Sequence, residues 1–318
     1  MIVSASRRTD IPAFYSEWFF NRLDAGYLYA VNPMNRKQVS KIILNSKTVD
    51  CFVFWTKNPR PMMEKLPILD QKGFPYYFQY TLTPYDKDIE PCFPDKNQLV
   101  KTFRELSGRI GRNKVIWRYD PILLSDRYTV EYHCEWFEKL CNSLHDYTNL
   151  CVISFLDLYD KTKRNTRELH LREISKEDML QIGEHFSKIA EKYHLRVETC
   201  SEEIDLSQYG IKKGKCIDDR IISQIIGKPV NVKKDDTQRE VCGCVKSVDI
   251  GQYNTCQHYC AYCYANYSYG KVKENCQKHN THSEILVGKL IGDEKITTRE
   301  MKSIITDEEY AQIELPFR

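Results

Sequence analysis

The chain has 318 residues, 42% of them hydrophobic, and its 47 basic residues are nearly balanced by 44 acidic ones for a net charge of +3. Such a chain can bury a large core unaided, as one α/β barrel or two ordinary domains. The charge balance and the lack of a long basic run leave nucleic acid unindicated as a partner, and no apolar stretch approaches the roughly eighteen residues of a membrane span.

The opening MIVSASRRTDIPAF carries two arginines and an aspartate within ten positions and lacks the apolar core of a signal peptide. The expected setting is the cytoplasm. Thirteen cysteines in such a chain point to metal and not to a disulfide framework.

Short runs rich in β-branched and aromatic residues read as strands at 2–6, 27–31, 51–55, 76–82, 114–119, 151–156 and 195–200. The segments 14–25, 36–45, 96–110, 130–144 and 175–193 between them read as helices, the last with Met179, Ile182, Phe186 and Ile189 on one face. Regular βα alternation with near-continuous apolar strands predicts a parallel sheet buried on both faces. A full or partial (βα) TIM-like barrel is the first expectation and a doubly wound open sheet the second.

In such folds chemistry gathers beyond the C-terminal strand ends. The sequence places there Ser6-Arg7-Arg8-Thr9-Asp10, Thr56-Lys57-Asn58-Pro59, Thr81, Thr83-Pro84-Tyr85 and Arg118-Tyr119-Asp120-Pro121, then Asp157 with Tyr159, and Glu198 with Glu202 and Glu203. Arg118 and Asp120 are the first choice as pocket side chains, because a charged pair at a strand end must be solvated, paired or bound to something ionic.

After about residue 204 the pattern changes. Residues 1–204 read as the barrel core, 205–270 as a cysteine-rich segment closing its mouth with a short helix at 217–227, and 271–318 as a surface-packed or partly flexible tail.

Cys256, Cys260 and Cys263 stand at C-x3-C-x2-C, with Tyr262 directly before the last. Such short spacings let three thiolates reach three irons of a 4Fe-4S cluster, leaving the fourth iron free to bind something else. Zinc competes, since C-x2-C pairs also serve tetrahedral thiolate sites, with Cys242 or Cys244 completing the set. Cys200, Cys216, Cys242 and Cys244 form a second group that would hold an auxiliary iron-sulfur cluster or a zinc ion, or merely pack. Cys51, Cys92, Cys134, Cys141 and Cys151 read as packing thiols, and His258 as an exposed loop histidine.

The arrangement Cys256, Cys260, Tyr262, Cys263 resembles the signature of the radical S-adenosylmethionine enzymes. That resemblance implies a 4Fe-4S cluster on the three cysteines and S-adenosylmethionine on the open iron, with Tyr262 helping to position the adenine. It further implies reductive cleavage to a 5'-deoxyadenosyl radical, a full or partial (βα) barrel, and a reductant such as flavodoxin or ferredoxin. Asp157 or Glu198 would then accept hydrogen bonds from the ribose hydroxyls, and Arg7 or Arg8 would meet a carboxylate or phosphate.

In most of those enzymes the cysteine loop follows the first barrel strand. Here it arrives near the end, which implies that the C-terminal segment folds back over the mouth. From SRRTDIPAF through FWTKNP, FQYTLT and WRYDPI to CGCVKSVDIGQYNTCQHYCAYCYAN, the chain also resembles a bacterial family of unknown function whose C-terminal cysteines are of this kind. Two other classes stay open: a zinc-stabilised module binding nucleic acid or a protein, with 21 tyrosines available for base stacking, and a plain electron-transfer iron-sulfur protein.

Overall fold

The computed structural model describes residues 1–157 and 160–306. Tyr159 lies outside the described residues. Among the described residues eleven strands run in chain order: β1 Ile2–Ala5, β2 Tyr27–Val31, β3 Gln38–Ile43, β4 Cys51–Thr56, β5 Tyr76–Thr81, β6 Val115–Ile122, β7 Leu150–Phe155, β8 Arg196–Thr199, β9 Lys212–Lys213, β10 Val248–Asp249 and β11 Lys295–Thr298.

Eight of them form one parallel sheet in the order β10-β1-β4-β5-β6-β7-β8-β9. The central strands are buried along most of their length because both faces are covered. On one face Phe52, Phe54 and Phe78 pack with Phe19, Phe103, Phe137 and Phe186 from the helices Ser16–Ala25, Lys96–Ile110, Val130–Leu144 and Lys176–Lys192. On the other, Cys51, Val53, Tyr77, Ile116 and Val152 pack under residues 216–245, including Ile221 and Ile222 of the helix Asp219–Ile226. Local caps set the helix starts: Asp95 accepts from Asn97 N, Thr129 from Tyr132 N, and Ser175 with Asp178 makes a reciprocal capping box. The architecture is α/β, an eight-stranded parallel sheet flanked by helices. Among the described residues its two outer strands, β9 and β10, do not pair with each other.

Two expectations require correction. Segment 36–45 is not a helix: its core is β3, paired antiparallel with β2 through a hairpin whose turn is held by Asn32 and Asn35. Val39, Ile42 and Ile43 happen to match helical spacing, but they are β-branched and Val39 and Ile42 bury on the hairpin. Residues 27–31 accordingly leave the main sheet and join a separate one, ordered β11-β3-β2. The two outer strands of the main sheet come instead from segment 205–270, as β9 and β10.

Residues beyond 271 also do more than lie on the surface. Besides β11 they hold the end of the helix Tyr269–Gln277, and Trp18 Nε1 donates to Ser283 O at 2.8 Å. Among the described residues no helix is long and apolar enough to cross a membrane.

Candidate functional site

Parallel strands bring their C-terminal ends to one edge, and a cavity of about 580 Å³ opens there. That volume suits a small-molecule ligand. It is lined by Ser6 to Asp10 after β1, Trp55 to Lys57 at the end of β4, Thr81 on β5, Arg118 and Asp120 on β6, and Ser154 to Asp157 at the end of β7. Seven cysteines, Cys200, Cys216, Cys242, Cys244, Cys256, Cys260 and Cys263, line it too.

The topology explains how a late loop reaches this edge. β10 pairs parallel to β1, with Val3 opposite Val248 and Ser4 opposite Asp249, so the chain after Asp249 emerges beside Ser6 and Arg7. Asp249 ties the two together: its carboxylate accepts from Ser6 Oγ at 2.6 Å, Arg7 N at 2.9 Å and Gly251 N at 2.9 Å. A side chain at Gly251 would force a shift, because a Cβ would stand 2.0 Å from Ser6 Oγ and 2.5 Å from Ser6 Cβ. The cysteine loop therefore enters as the continuation of a sheet strand.

The loop is then pinned from several sides. Tyr15 Oη donates to Thr255 O at 2.6 Å, Asn266 Nδ2 to Cys256 O at 2.8 Å, and Ala261 N to Ile89 O at 2.9 Å. His258 is only 3% exposed, which corrects its reading as an exposed residue. Its Nε2 lies 2.8 Å from Asp10 Oδ2, its ring stacks on Phe93 at 4.2 Å, and its Nδ1 has no partner among the described residues. Cys260 is buried, while Cys256 and Cys263 are partly exposed. Burial raises the pKa of all three thiols, and Lys57 works against it at Cys260 and Cys263.

Tyr262 is held by an ionic hub under the loop. Glu90, 2% exposed, accepts from Tyr262 Oη at 2.5 Å, Lys57 Nζ at 2.6 Å, Lys96 Nζ at 2.6 Å and Thr83 Oγ1 at 2.7 Å. Burial alone would raise the Glu90 pKa, but the two ammonium groups outweigh it and bring it to about 2. The same carboxylate offsets burial at Lys57, whose pKa is raised. Lys57 Nζ also lies 5.3 Å from the Tyr262 ring, so one cation serves the carboxylate, the ring and Cys260 together.

The second group of cysteines forms a chain of thiols on the same cavity. Cys200 Sγ and Cys216 Sγ are 2.7 Å apart, and Cys244 Sγ accepts from Ile217 N at 3.4 Å. Arg118, buried, donates from Nη1 to Cys216 Sγ at 2.7 Å and from Nε to Asp120 Oδ2 at 2.9 Å. Burial works to raise the Asp120 pKa, yet Arg118 and the Ser154 hydroxyl hold it below the ordinary range. Trp55 stands beside both arginines of this wall, 5.2 Å from the Arg118 guanidinium and 5.9 Å from that of Arg7. Hydrogen bonding with Cys216 comes first, and Arg118 adds to it, in lowering Cys200 to about 7; Cys216 is raised as the thiol that keeps its proton. Among the described residues, no three His, Cys, Asp or Glu side chains are arranged to hold a single metal ion.

The structure thus gathers Arg118, Asp120, Asp157, Tyr262 and all seven cysteines on one cavity. Asp157 is ion-paired there with Arg239 at 2.5 Å. Glu198 does not line the cavity. Strand alternation turns it toward Arg220 of the helix Asp219–Ile226, at 3.2 Å, and its side chain packs over Gly214. Sequence reasoning missed Glu90 and Arg239 at this site. Glu90 lies in a loop with no motif around it, and with Asp86 and Asp88 beside it the sequence does not single out which acid is buried.

The sequence profile of the family described as Domain of unknown function (DUF1848) matches residues 2–265, from β1 to just past Cys263. The chain belongs to that family. The DUF1848 match thus includes both cysteine groups and every cavity-lining strand end. No curated protein matches the sequence. Among solved structures, a putative alpha-L-fucosidase from Bacteroides thetaiotaomicron is similar over 72% of this chain and 81% of that one, at 10% identity and a TM-score of 0.24. The EAL domain of Xanthomonas citri FimX, solved with c-diGMP, is similar over 64% of this chain and 91% of its own, at 10% identity and a TM-score of 0.23. Scores this low carry no argument about this DUF1848 chain.

Proposed function

We propose that this protein is a radical S-adenosylmethionine-type enzyme built on a partial (βα) barrel, with a 4Fe-4S cluster on Cys256, Cys260 and Cys263. The observation that carries the reading is the place of β10. Counted across the sheet and not along the chain, the C-x3-C-x2-C loop follows the first strand of eight, directly beside β1. Its late position in sequence is then a permuted order of the same spatial plan.

The residues fit such a cluster. Three thiols of one loop face one cavity, and a cubane takes them on separate irons, so no convergence on a single point is required. Lys57 beside Cys260 supplies positive charge toward an anionic group. When bound, the cluster and its cofactor supply one-electron reductive cleavage that releases a 5'-deoxyadenosyl radical. The chain's own part is binding and enclosure. Arg118 with Asp120, and Arg7 and Arg8 at the end of β1, present ionic groups to the carboxylate and amino ends of a zwitterionic ligand. The Tyr262 ring, fixed by Glu90, closes one wall, and a flavodoxin- or ferredoxin-like protein would deliver the electron.

The test is iron and sulfide content of anaerobically reconstituted protein, with the electron paramagnetic resonance spectrum of the reduced state recorded with and without S-adenosylmethionine. A spectrum altered by the cofactor, with 5'-deoxyadenosine formed and both effects lost in the triple variant Cys256→Ala, Cys260→Ala, Cys263→Ala, is the expected outcome. Stoichiometric zinc with negligible iron would sink the proposal and leave a zinc-stabilised binding module. Iron indifferent to S-adenosylmethionine would leave an electron carrier.

A further inference from the structure

We infer that Cys200 and Cys216 form a redox-active dithiol on the cavity wall, one that closes to a disulfide by exchange with a small organic disulfide entering the cavity. The inference rests on the geometry of this pair and needs no cluster on the Cys256 loop.

The fold holds the two thiols face to face although they stand 16 positions apart in the chain. Cys200 directly follows β8, and Cys216 follows β9, which pairs parallel to β8 with Thr199 opposite Lys213. Neighbouring strands lie about 4.8 Å apart, within the reach of a disulfide bridge. Gly214 N donates to Thr199 O at 2.8 Å and Cys200 N to Ile153 O at 2.9 Å, so both segments are fixed as they leave the sheet. Cys216 O accepts from Gln79 Nε2 at 2.7 Å and Tyr77 Oη at 2.8 Å, two side chains of β5. The sulfurs stand 2.7 Å apart, and both are free thiols. Sulfurs in contact cannot ligate separate irons, and among the described residues no three cysteines of the wall converge on one ion. Contact suits a bond between the two sulfurs instead.

The pair is also asymmetric in the way that exchange requires. Both cysteines line the cavity, but Cys200 is partly exposed whereas Cys216 is 2% exposed. An incoming disulfide therefore meets Cys200 first. The Cys200 thiolate attacks one of its sulfurs, forming a mixed disulfide and releasing one small thiol; Cys216 then attacks Cys200 Sγ and releases the second. Each protein sulfur loses one electron, the small disulfide gains both, and the two protons of the protein thiols leave on the two released thiols. Arg118 Nη1 donates to Cys216 Sγ at 2.7 Å, where a guanidinium stabilises the anion that makes the closing attack. A thiol that merely fills a core has no such donor.

The test uses the full chain, fully reduced, then incubated without oxygen with hydroxyethyl disulfide, alkylated and digested for mass spectrometry. The expected product is a pair of peptides joined through Cys200 and Cys216, lighter by two hydrogens than the separate thiols and reopened by dithiothreitol. Cys216→Ser should instead accumulate a mercaptoethanol adduct on Cys200, and Cys200→Ser should leave Cys216 unmodified. Recovery of Cys200 and Cys216 as free thiols in the wild-type chain, or a bridge from either to another cysteine, overturns the inference. An adduct on Cys216 in folded Cys200→Ser, with Cys200 unmodified in folded Cys216→Ser, overturns the assigned order of attack. The wild-type digest decides the pairing even where a variant fails to fold.

Discussion

The Glu90 hub gives the sharpest energetic prediction. Its carboxylate is buried with two ammonium groups and two hydroxyls around it, and its pKa of about 2 against an ordinary 4.5 corresponds to about 3 kcal/mol of stability at neutral pH. Because the folded value is the lower one, that contribution is complete above pH 4.5 and is lost as pH falls toward 2; about 2 kcal/mol remains at pH 3.5. Glu90→Gln keeps the shape but leaves Lys57 and Lys96 without their counter-charge, a change that costs about 3–5 kcal/mol for a buried pair. Urea unfolding of wild type and variant at pH 7 and pH 3.5 measures both quantities. The variant should be less stable by that amount at pH 7, and the gap should narrow by about 1 kcal/mol at pH 3.5. A variant as stable as wild type, or a gap unchanged between the two pH values, would refute the assignment of Glu90 as the anionic centre of the site.

Gly251→Ala places a methyl group within 2.5 Å of Ser6 and must part β10 from the start of the β1 loop. It should cost about 1–3 kcal/mol, a fall in Tm of roughly 2–6 °C, and should lower iron retention by the Cys256 loop more than Gly270→Ala, whose added Cβ meets only Ser268 Oγ at 3.7 Å. Equal retention in the two variants would argue that the loop does not depend on its strand. Deleting residues from 269 onward removes the buried Val272, Ile285, Leu286 and Val287 and the acceptor of Trp18 Nε1. At about 1.5 kcal/mol for each apolar side chain the loss is roughly 6 kcal/mol, and a truncated chain with wild-type Tm would show that this segment is dispensable.

Much of the sheet was legible because its strands are covered on both faces, so Cys51–Thr56 or Leu150–Phe155 reads as a near-continuous apolar run. β9 and β10 were illegible, since two residues carry no periodicity and only the neighbouring strand makes them β. Segment 36–45 misled because three β-branched residues matched helical spacing, and a long-range partner, β11, helped decide the matter. The cavity wall was visible as charges at strand ends, among them Arg118 and Asp120. Glu198 was not separable from it, since one step along a strand reverses the face, and a count of strand-end acids does not know which face is inward. That four cysteines spread over 45 positions would meet is likewise a property of the fold and not of spacing.

The pairing of the last main-sheet strand with the first also sets a schedule. On a ribosome adding roughly 5–20 residues per second, β1 waits at least about twelve seconds for the partner that carries the Cys256 loop. By then β4 to β8 and their helices have been made. The seven thiols of the cavity can therefore meet only after the sheet that orients them exists, and the nascent N-terminal part offers none of these seven to a passing metal. Assembly order thus works as a safeguard: β1 and β4 to β8 are made before the first of these thiols arrives.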